Sequence, residues 1–144
     1  DVGLRAAPLV PVAFDGGLPI RAENVTAPSA DFNVMTALDL PRPDVRVIGP
    51  DTVRPDAGGL VALYALGSVQ IGAGDFPVQT LILADEPLTL HAGRAIAVRL
   101  FAESAPLRLP AVVSGAYRGR AFYLAVNGTG YLRIGGQSVP LVWE

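Results

Sequence analysis

The chain has 144 residues, with 11 Lys+Arg against 13 Asp+Glu, one His, no Cys, 16 Gly and 13 Pro, and 51% of its residues are hydrophobic. A chain of about this length buries roughly 70% of its unfolded surface, so a single domain over 1–144 with its own core is expected. The missing Cys excludes disulfide scaffolds, zinc ribbons and thiol enzymes, the apolar fraction excludes disorder, and the near-neutral charge excludes a basic nucleic-acid binder.

No apolar run approaches the roughly 18 residues of a membrane helix, and no signal-peptide pattern is present. Every basic residue is Arg, as a GC-rich coding sequence would give.

In chain order, the first 58 residues are rich in Pro, Asp and Gly. Residues 1–30 read as an extended arm. Within it Leu9, Val10, Val12 and Phe14 suggest a strand, broken at Asp15-Gly16-Gly17. A second strand is expected within Asp31 to Leu40, and a third from Asp44 to Ile48, where Val45 and Val47 share a face. Pro41, Pro43, Pro50 and Pro55 exclude a continuous helix here, because each lacks an N–H and restricts the residue before it. Arg42-Pro43-Asp44 and Arg54-Pro55-Asp56 are two similar turns, not a repeat.

From Gly59 onward the pattern is β. Leu60 to Ile71, Phe76 to Ala84 and Arg94 to Phe101 read as strands. In the last of these Ile96, Val98 and Leu100 share one face and Arg99 the other. Gly72-Ala73-Gly74-Asp75, Asp85-Glu86-Pro87 and His91-Ala92-Gly93 supply the turns. The C-terminal part reads as a meander. Arg120 to Val126, Tyr131 to Ile134 and Ser138 to Trp143 are its strands, joined by a hairpin at Asn127-Gly128 and a turn at Gly135-Gly136. Many short strands at close spacing give an all-β fold, a barrel or sandwich of short antiparallel strands with an extended Pro-rich N-terminal segment.

Catalytic signatures are missing: no His-Glu-x-x-His, no Gly-x-Ser-x-Gly and no phosphate loop occurs. His91, the one imidazole, falls in an expected turn and reads as an exposed turn residue. Asp51 and Asp56 lack the dense oxygen-ligand spacing of a calcium loop. Asn24-Val25-Thr26 and Asn127-Gly128-Thr129 match the glycosylation acceptor pattern by chance. No enzyme activity, cofactor or metal is expected.

The stretch Ala111-Val112-Val113-Ser114-Gly115-Ala116-Tyr117-Arg118-Gly119, followed by a strand and Asn127 ten positions after Tyr117, resembles the third motif of the trimeric dUTPase and dCTP deaminase family. Gly136 to Trp143 keeps the apolar pattern of that family's terminal strand but not its polar residues, and Leu88 to Gly93 resembles the entry to an internal strand. The departures concern chemistry. The family's catalytic Asp position is occupied by Ser114, and a hydroxyl cannot replace the carboxylate that activates water. The phosphate-binding Arg-Ser motif falls near Glu103-Ser104, where Glu103 would repel a triphosphate. The magnesium-associated Asp motif is matched only loosely by Ala37-Leu38-Asp39-Leu40.

The resemblance implies a non-catalytic β-clip or jelly-roll-like barrel assembling as a homotrimer, a fold also used by phage head decoration proteins. The leading expectation is therefore a structural component of a phage or phage-like particle. Such a component would be assembled in the bacterial cytoplasm, carried in the virion and partnered by a capsid or tail protein. The residues carried over are Tyr117, Arg118 and Asn127, as a motif remnant. The alternatives are a carbohydrate-binding adhesin, with Tyr123, Tyr131 and Trp143 as stacking platforms for a surface glycan, and a degenerate nucleotide-binding regulator. Tyr123 and Tyr131 are expected on adjacent strands of the meander. Neither nucleic acid nor a membrane span is expected.

Overall fold

The computed structural model describes residues 3–36 and 41–100 in full, and the backbone of four strands beyond them, 114–117, 120–125, 129–134 and 137–141. The described residues form strands and turns and no helix, so the all-β expectation is met. The strands are β1 (Asn33–Thr36), β2 (Asp44–Ile48), β3 (Asp51–Val53), β4 (Leu60–Ala65), β5 (Val69–Ile71), β6 (Gly74–Phe76), β7 (Thr80–Ala84), β8 (Leu88–Ala92), β9 (Ala95–Leu100), β10 (Ser114–Tyr117), β11 (Arg120–Ala125), β12 (Thr129–Ile134) and β13 (Gln137–Leu141).

They make a six-stranded sheet in the order β13-β12-β7-β4-β9-β2, a four-stranded sheet β3-β8-β5-β6 and a three-stranded sheet β1-β11-β10. All pairings are antiparallel except β7 with β12.

The strands are short because the chain repeatedly changes sheet. Leu60 to Ile71 is two strands, not one: β4 lies in the six-stranded sheet and β5 in the four-stranded sheet, with Leu66-Gly67-Ser68 between them. The chain returns through Pro77-Val78-Gln79, which likewise divides the expected strand from Phe76 to Ala84. It crosses again at Asp85-Glu86-Pro87 and at Gly93-Arg94. Each of these crossings contains Gly or Pro, and two main-chain hydrogen bonds tie three of them together. The Leu66 N–H donates to the Arg94 carbonyl at 3.0 Å, and the Gln79 N–H donates to the Ala65 carbonyl at 2.9 Å. Three of the strands, β3, β8 and β10, are additional to those expected, and His91 lies in β8 instead of in a turn.

A dry core fills the space between the two larger sheets. Val61, Leu63 and Ala65 of β4, Ile82 and Ala84 of β7 and Ala95 and Ala97 of β9 meet Val53, Val69, Ile71, Leu88 and Leu90 of the four-stranded sheet. The opposite face of the six-stranded sheet is buried as well. Leu60, Ala62, Leu81, Leu83 and Val98 are at most 1% exposed although alternation turns them away from that core. Phe32, just before β1, stacks on Tyr64 of this second face with ring centroids 4.9 Å apart.

The C-terminal meander is not formed as expected. β11 pairs with β1 and β10, whereas β12 pairs with β13 and β7. No hairpin joins β11 to β12, and Asn127-Gly128 lies outside the described residues. β12 and β13 do pair antiparallel, with Ile134 opposite Gln137, while the expected turn at Gly135-Gly136 lies outside the described residues.

In the N-terminal segment the strand expected from Leu9 to Phe14 is absent. Pro8 and Pro11 offer no N–H for a ladder. Ala7 to Val10 instead closes a β-turn, the Val10 N–H donating to the Ala7 carbonyl at 3.1 Å with Leu9 at φ 61°. Proline second and a positive φ third is the type II arrangement. Asp15-Gly16-Gly17-Leu18 forms the next turn, in which the Asp15 carboxylate accepts from the Gly17 N–H at 2.8 Å.

Candidate functional site

The residues expected to carry a site do not converge. Tyr117 ends β10 opposite Arg120, Tyr123 of β11 lies opposite Met35 and Ser114, and Tyr131 of β12 lies opposite Pro140 and Ile82. Tyr123 and Tyr131 therefore belong to different sheets, and the expected stacking pair on adjacent strands is corrected. Arg118, Asn127 and Trp143 lie outside the described residues, as do Glu103-Ser104 and Ala37 to Leu40. Ser114 is placed by its backbone alone, at the start of β10.

The polar groups elsewhere are occupied structurally. Arg99 of β9 donates through Nε to Asp44 Oδ2 at 3.2 Å, directly across the β2–β9 ladder, and its Nη1 lies 3.7 Å from Asp56 Oδ1. This clamp ties β2, β9 and the turn before β4 together. Its groups are about a third or more exposed, so it contributes under about 1 kcal/mol. Thr52 and Thr89 share a hydrogen bond of 2.9 Å across β3 and β8. Thr80, the one buried polar residue among those described, donates its hydroxyl to the Pro77 carbonyl at 2.8 Å. Tyr64, half-covered by the Phe32 ring, has its phenol pKa raised above the ordinary 10.0 by desolvation. Among the described residues no group of His, Asp and Glu side chains is arranged to hold a metal. Nor do they contain a helix long and apolar enough to cross a membrane.

What stands out is surface. From residue 3 to residue 31 every residue is exposed except Val12. Leu4, Leu9, Val10, Phe14, Leu18, Ile20 and Val25 are each 45–69% exposed. Outside this segment only Met35 and Val78 are large, apolar and comparably exposed among the described residues. The sequence suggested a strand for part of this apolar content, Leu9 to Phe14. The signal that points the other way is Pro8 immediately before Leu9 and Val10.

The family match corrects the earlier resemblance. The chain matches the HutD family over residues 3–106, from the exposed segment through β9. No curated protein and no solved structure matches it. The dUTPase-like stretch from Ala111 to Asn127 falls outside that span, while Leu88 to Gly93, offered as a second piece of the same likeness, falls within it. The trimeric dUTPase assignment is therefore withdrawn, together with the motif roles it lent to Tyr117, Arg118 and Asn127. With most of its 144 residues covered, including both larger faces of the core, the chain belongs to the HutD family.

Proposed function

We propose that this protein is a non-enzymatic module that works by assembling with other protein, through its N-terminal segment. The observation that carries this reading is the contrast within one chain. Among the described residues the strands bury nearly all their large apolar side chains, while residues 4–25 present seven to solvent. Contiguous apolar surface beyond a few hundred Å² on a folded protein marks a contact surface. The filled interior supports the same reading, since leucine, isoleucine, valine and alanine occupy the space between the two larger sheets.

A component of a phage or phage-like particle is a narrower form of this proposal. Composition and the missing catalytic signatures still support it, but the family likeness that pointed to it is gone. The adhesin reading loses its adjacent-strand tyrosine pair. Native mass spectrometry of the protein isolated from its own cells tests the assembly reading. The expected result is a complex heavier than one chain; a lone chain at its cellular concentration would contradict it.

A further inference from the structure

We draw no further inference here: the strongest candidate, the exposed apolar side chains of the N-terminal segment between Leu4 and Val25, belongs to the site already described, and nothing in the structure shows what covers it.

Discussion

Gly93 sets the corner between β8 and β9. Its φ is +90°, and a Cβ there would lie 2.5 Å from the Ser68 carbonyl oxygen and 2.9 Å from Val69 Cγ1. Gly93→Ala should therefore cost about 2 kcal/mol or more, read as a lower denaturant midpoint at unchanged slope. The sequence marked His91-Ala92-Gly93 as a turn. It did not reveal that this turn backs onto the Leu66-Gly67-Ser68 turn, because that contact spans two sheets. Tyr64 gives a second test. Its raised pKa means the folded state holds the phenol proton more tightly than the unfolded chain. Stability from this group is thus fully present below pH 10.0 and is lost as pH rises through the folded value. The unfolding midpoint should fall at alkaline pH, and Tyr64→Phe should flatten that fall; an unchanged slope would exclude Tyr64 as its source.

Among the elements, β4 and β7 carry the fold. Both run apolar without alternation, Leu-Val-Ala-Leu-Tyr-Ala and Thr-Leu-Ile-Leu-Ala, as strands do when both faces are covered. Leu63 faces the inter-sheet core and Leu83 the opposite face, yet both are at most 1% exposed. Truncation at either should cost about 3 kcal/mol. A loss near zero for Leu83→Ala would show that the second face is not a core. The continuous runs made these strands legible in the sequence. The breaks at 66–68 and 77–79 were harder to see, because apolar residues continue through the corners as Leu66 and Val78. Pairing order was not legible at all: local pattern identifies β11 and β12 as strands but cannot say that they join different sheets.

At the scale of the whole molecule, the all-β fold class was legible from turn chemistry and short strands. The function class was not legible. A Tyr-Arg-Gly stretch with one well-spaced Asn supported a family likeness confined to a region beyond the HutD match. What the folded chain adds is the partition of its apolar residues between a packed interior and one exposed segment. Amide hydrogen exchange of residues 4–25 against that of β4 and β7 tests that partition most directly. The predicted result is rapid exchange across residues 4–25 with β4 and β7 strongly protected. Protection of residues 4–25 equal to that of β4 and β7 would contradict the account.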